Sequence, residues 1–214
     1  MTVASVVFDL DGTLVDTMGS VPRAYAAAIR ALGGPEVTPD QVVEVWHMGP
    51  TPVVLAHFLG REATEDDLEC YFRHAATDVR VFPGVADMLR ALARTGVRLG
   101  VYTTATRRAA ARVLASTGLA GYFSAVVAGD EVARPKPAPE GLELACELLG
   151  VRAAEAAYVG NEEVDLRCAE AAGSLGVHAA WDAPARSVPP VPRVPLVAAR
   201  PLDVVTLLGL PGEE

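Results

Sequence analysis

Five short apolar runs, at 3–10, 97–103, 125–128, 156–160 and 177–181, recur along the chain, most of them separated by helix-like segments. That alternation constrains the fold to α/β, a parallel sheet with helices on both faces. In an open sheet of this kind, ligands bind in the crevice outside the carboxyl ends of the strands. The residues just after each run are therefore the ones to read for chemistry.

One connection is far too long. Between the first two runs lies a stretch, roughly 17–82, that reads as helical throughout, with segments at 21–32, 39–46, 51–59 and 65–76. Thr38-Pro39-Asp40 and Thr64-Glu65 look like helix starts, each a cap residue followed by proline or acid in the first turn. The expectation is an all-helical cap domain, 17–82, inserted into a discontinuous core of 1–16 and 83–214. Phe82-Pro83-Gly84 marks the return, and 85–94 reads as an amphipathic helix. Past residue 182, Pro184, Pro189, Pro190, Pro192 and Pro195 point to a loop or edge segment, and 203–208 to a short closing helix. The chain shows no internal repeat.

At 214 residues and 51% hydrophobic, the chain has enough apolar material for a full core. Charges interrupt the apolar stretches before they reach membrane-spanning length, and the N-terminal region holds Asp9 and Asp11 rather than basic residues. We expect neither a signal peptide nor a membrane span, and a cytoplasmic protein. Cys70, Cys146 and Cys168 lack metal-ligand spacing and read as buried free thiols. A formal charge of -9 with no basic stripe argues against nucleic acid as a partner. An anionic substrate must then be held by local cations.

Four stations follow the strand-like runs. Asp9-Leu10-Asp11-Gly12-Thr13 ends the first, with two carboxylates one residue apart, so that one can attack while the other moves a proton. Thr103 and Thr104 end the second. Lys136 follows the third, ahead of a helix whose first turn is expected to hold Pro137, Pro139 and Glu140; of 18 basic residues it is the one lysine. A lysine is a compact point charge, suited to sit between a carboxylate and a phosphoryl oxygen. The last station is Gly160-Asn161-Glu162-Glu163-Val164-Asp165, before an alanine-rich helix.

Taken in order, FDLDGT, VYTT, RPKPAPE and VGNEEVD resemble the four motifs of the haloacid dehalogenase-like hydrolase superfamily, and GDEVARPKPAPE is similar to its phosphoglycolate phosphatase-like branch. The resemblance spans nearly the whole chain. It implies a Rossmann-like core with an inserted helical cap, and a Mg²⁺-dependent phosphatase that acts on small phosphorylated metabolites through an aspartyl-phosphate. Asp9 would be the nucleophile and Asp11 the acid and base. Thr103 would bind a phosphoryl oxygen, and Lys136 would neutralise both Asp9 and the transferred group. Mg²⁺ would be held by Asp9, the Asp11 carbonyl and the fourth station, where Asn161, Glu162 and Asp165 are the candidates. Thr104 and His47 are candidate substrate contacts. The protein would work as a monomer or homodimer.

The chain departs from the family at Asn161, where a carboxylate is usual. A neutral carboxamide there predicts weaker metal affinity. Two alternatives stand beside the phosphatase reading: a sugar-phosphate mutase, which shares all four stations, and a catalytically weakened phosphate-binding homologue. Arg61 and Arg73 are the arginines weighed for a second substrate anion, with a solvated helix face as the favoured reading. His57, His74 and His178 lack ligand spacing.

Overall fold

The computed structural model describes residues 3–17, 19–45, 48–75, 79–182, 185–188, 191, 194 and 196–211. The chain divides into two compact units, 1–15 with 81–214, and 16–80. Along the chain run β1 (Ser5–Phe8), β2 (Val15–Asp16), α1 (Val21–Ala31), α2 (Pro39–Val45), α3 (Thr51–Leu59) and α4 (Glu65–Ala75). Then come β3 (Arg80–Val81), α5 (Val85–Arg94), β4 (Arg98–Tyr102), α6 (Arg107–Ser116), β5 (Ala125–Val127) and α7 (Glu140–Leu148). The last elements are β6 (Ala156–Gly160), α8 (Glu163–Ala172), β7 (Leu175–Ala179), β8 (Leu196–Ala198) and α9 (Asp203–Leu207).

The first unit is built on a six-stranded sheet in the order β5-β4-β1-β6-β7-β8, with every pairing parallel. A parallel strand covered on both faces has no solvent side, so its residues need not alternate. Hence β1 is apolar after Ser5 and buried along its length, as is β6. Val7 pairs with Gly100 on one side and Tyr158 on the other, and side chains from this face form a core with Leu142, Ala145 and Cys146 of α7 and Cys168 of α8. Helix α5 buries Val85, Met88, Leu89 and Leu92, the spacing of one helical face. From β1 the chain continues to β4 on one side, and from β6 to β7 on the other. The crevice between the ends of β1 and β6 is thus a topological switch point, where open α/β sheets bind ligands.

The second unit packs α1 against α2, α3 and α4. Tyr25 stacks on Tyr71 with ring centroids 4.3 Å apart and bonds Thr51 Oγ1 at 3.0 Å. Helix α4 starts with a reciprocal cap: Thr64 N donates to Asp67 Oδ2 at 2.8 Å and Asp67 N to Thr64 Oγ1 at 3.3 Å.

The α/β class read from the sequence is the class observed. The proline-rich segment leads into a short edge strand, β8, whose Val197 is exposed. Strands β2 and β3 pair with each other and, at two residues each, are too short to carry periodicity. Pro137 and Pro139 precede α7 rather than lying in its first turn, because a residue ahead of proline is driven out of the helical region. Among the described residues no helix is long and apolar enough to cross a membrane. All three cysteines are buried free thiols; burial pushes Cys146 up to about 11 and Cys168 up to about 12, which leaves both unreactive.

Candidate active site

The backbone at the end of β1 makes the first station. Asp9 N donates to Val159 O at 2.9 Å, keeping Asp9 beside β6 one residue past the strand. Gly12, at φ 81°, then turns the chain, closed by Gly12 N to Val15 O at 2.8 Å and Leu14 N to Leu10 O at 3.0 Å. The turn is tied down from two sides. Trp181 Nε1 donates to Thr13 O, and Thr13 Oγ1 donates to Asn161 Oδ1, both at 3.0 Å.

Lys136 is the hub. Its ammonium group donates to Asp9 Oδ1 at 2.6 Å and to Asp165 Oδ1 at 2.7 Å, with the lysine side chain 2% exposed. Two ring faces flank it, Tyr102 at 5.0 Å and Tyr158 at 5.3 Å from Nζ. A desolvated cation–π contact is worth about 2 kcal/mol, which offsets part of the cost of burying the charge. The second oxygen of Asp165 accepts from Glu162 N at 2.9 Å. Gly160 makes room for this arrangement, since a Cβ there would lie 2.3 Å from Asp165 Cβ.

Thr103 sits at the end of β4, fully buried, with its hydroxyl 3.4 Å from Asp11 Oδ2 and accepting from Ala105 N at 3.1 Å. The strand ends therefore bring together Asp9, Asp11, Thr103, Lys136, Asn161 and Asp165. Thr104, by contrast, is exposed. His47 lies outside the described residues. Arg61 is held by Asp67, its Nη2 donating to Oδ1 at 2.9 Å, and so belongs to the cap of α4. Tyr102, Tyr158 and Trp181 are not among the candidates that the sequence offers. The available signal was position: each tyrosine lies within two residues of a strand's carboxyl end, next to a station.

The charges do not balance. Burial first, then Asp165 and Asp11, hold the Asp9 carboxyl well above the ordinary range, against the pull of Lys136. Burial alone would lower the lysine, but Asp165 and Asp9 more than offset it and keep it charged. Burial raises Glu162 as well, helped by Asp165 and Asp11 and opposed by Lys136. Like unit charges about 4 Å apart at an effective dielectric near 20 repel by ~4 kcal/mol. Among the described residues, Asp9 and Asp165 share the ammonium of Lys136 while Asp11 acts on Asp9 and on Glu162, an acid-rich cluster that a further cation would relieve. Among the described residues no three His, Cys, Asp or Glu side chains form a metal cage by themselves. The buried Asp9 carboxylate and the Asn161 carboxamide oxygen are hard donors of the kind that suits an ion which keeps water and takes substrate oxygens, as magnesium does.

Residues 6–178 match the family model described as haloacid dehalogenase-like hydrolase. The chain belongs to that family. A phosphoglycolate phosphatase from Cupriavidus necator is 39% identical over 178 residues, covering 79% of this chain and 77% of its own length. Among solved structures, CbbY from Rhodobacter sphaeroides in complex with phosphate superposes with a TM-score of 0.78 at 21% identity, covering 98% of this chain and 100% of the other. A putative beta-phosphoglucomutase from Thermotoga maritima gives 0.71 at 22%, covering 98% and 99%. At those identities both structures speak to fold alone. Family and sequence relatives make this haloacid dehalogenase-like protein a phosphatase-type hydrolase.

Proposed function

We propose that this chain is a Mg²⁺-dependent phosphomonoesterase of a small phosphorylated metabolite, with phosphoglycolate the first compound to try because the relatives carry that name. The observation that carries the reading is the buried ammonium of Lys136 held on Asp9 at the switch point of the sheet. An anionic nucleophile approaches an anionic phosphoryl group only when cations stand between them, and Lys136 is built in where Asp9 needs it.

An Asp9 carboxylate oxygen attacks phosphorus, and the bond from phosphorus to the leaving oxygen breaks. Asp11, one residue farther along the turn, gives that oxygen a proton. It then takes a proton from the water that cleaves the aspartyl-phosphate, releasing phosphate and restoring both acids. Thr103 orients Asp11 through its hydroxyl and presents the same group to a phosphoryl oxygen. Asp165 holds Lys136 in place. A magnesium ion would be held by the Asp9 carboxylate, the Asp11 carbonyl and the Asn161 oxygen with Glu162 alongside, and would neutralise phosphoryl charge. The helical unit 16–80 would be the inserted cap that the family resemblance implies. Arg61, bonded to Asp67, is committed to the start of α4 rather than to a second substrate anion.

The test is phosphate release from a panel of phosphorylated metabolites in excess Mg²⁺, beside Asp9→Asn. Release that vanishes in the variant supports the reading; isomerised sugar phosphate in place of free phosphate would show a mutase. No release from any compound, even with Asn161→Asp, would leave a phosphate-binding protein.

A further inference from the structure

Two of the three hydrogens on the Lys136 ammonium are committed, to Asp9 and to Asp165. The third is what the lysine has left for a phosphoryl oxygen, provided nothing in the pocket wall takes it. Tyr102 and Tyr158 form that wall with ring faces, which attract the charge without accepting a directed hydrogen bond. A carbonyl in their place would capture the hydrogen. Aliphatic side chains would leave the charge unsupported.

Tyr158 does more than this. Its hydroxyl lies 3.0 Å from the main-chain oxygen of Tyr102 and 3.3 Å from Asp165 Oδ1, and it donates into that pair. Tyr102 immediately precedes Thr103, and Asp165 Oδ1 is the atom that receives Lys136. One hydroxyl therefore ties the end of β4 to the carboxylate that aims the lysine. Glu162 N fixes the other oxygen of Asp165, so Tyr158 and Glu162 N together set its orientation.

We propose that Tyr158 is a positioning residue for phosphoryl transfer, acting through Asp165 to keep Lys136 on Asp9 with one hydrogen free for the phosphoryl group. The inference rests on the phosphatase reading for its kinetic consequence, while the geometry of the lysine stands apart from it. At 1% exposure Tyr158 does not touch substrate.

Tyr158→Phe keeps the ring and removes the hydroxyl; Tyr25→Phe likewise removes one hydrogen-bonded tyrosine hydroxyl, in the helical unit, and leaves the Tyr158 bonds in place. With p-nitrophenyl phosphate at saturating Mg²⁺, Tyr158→Phe is expected to lower kcat about tenfold with KM within about threefold, the scale of one lost hydrogen bond to a charged group. Orthovanadate, titrated by calorimetry, should bind about fivefold or more weakly, and Tyr25→Phe should stay within about twofold of wild type in both measurements. In an Asp165→Asn background the Tyr158→Phe effect should largely disappear, because the two act in series. The proposal is overturned by unchanged kcat and orthovanadate affinity in Tyr158→Phe, by equal losses in Tyr25→Phe, or by full additivity with Asp165→Asn. If the wild type releases no phosphate, the phosphatase reading fails, and orthovanadate affinity alone decides the role of Tyr158.

Discussion

The two units of this protein each bury an aspartate against a basic side chain, and the pairs behave oppositely. In the helical unit, Asp67 receives both arms of Arg61 together with Thr64 N and Oγ1, and these bonds hold its carboxyl far below the usual range. In the α/β unit, Asp9 shares Lys136 with Asp165 and stands close enough to Asp11 to feel its charge, and burial carries its carboxyl the other way. The difference lies in the ratio of acids to cations and in access to water: the Arg61 side chain is 48% exposed, that of Lys136 only 2%. A satisfied pair finishes a helix. An unsatisfied one stores attraction for a further cation, and only through cations does it admit an anionic phosphoryl group.

The harshest test of this contrast is Asp9→Asn, which should cost about 10⁴-fold or more in phosphate release while the fold survives, as judged by circular dichroism. Lys136→Ala comes next. It leaves Asp9 and Asp165 facing each other in a buried site, and urea unfolding should show a loss of about 3–5 kcal/mol along with activity. Unchanged stability would mean the site is wetter than its burial indicates. Asn161→Asp should sharpen the comparison by adding the carboxylate that a cation prefers. Calorimetric titration with Mg²⁺ should show about tenfold tighter binding, since Thr13 can donate to a carboxylate as well as to an amide. Equal or weaker affinity would sink the idea that the carboxamide limits metal binding.

The smallest effect belongs to the helical unit. Asp67→Asn should lower the melting temperature by about 3 °C at neutral pH and leave kcat alone. Because the folded protein depresses this carboxyl, the stabilisation is complete above the ordinary aspartate value near 4 and is lost as pH falls through and below it. The gap between wild type and variant should accordingly close in acid. A gap that widened there would contradict the sign of the shift.

Much of this was legible in the residues themselves. Strand β6 at 156–160 and helices α3 and α5 fall where the apolar patterning put them, and the stations after β1, β4 and β6 converge because a parallel sheet gathers its carboxyl ends. Harder to read was whatever depends on partners distant in sequence. Tyr158 looks like any core aromatic until Asp165 and the Tyr102 carbonyl are placed beside its hydroxyl. Trp181 closes on Thr13 across 168 residues, a contact no local pattern foretells. Strands β2 and β3 were too short to register.

A Cβ at position 12 would meet Asn161 Nδ2 at 2.5 Å, so the first turn and the fourth station measure each other's size. Seen as a record of descent, that gauge leaves residue 161 little freedom in shape and considerable freedom in charge. Asparagine and aspartate occupy the same space, and their codons differ by a single base. The chain therefore sits one nucleotide from a carboxylate at this position, while glutamate, one methylene longer, would press on the turn that carries Asp11.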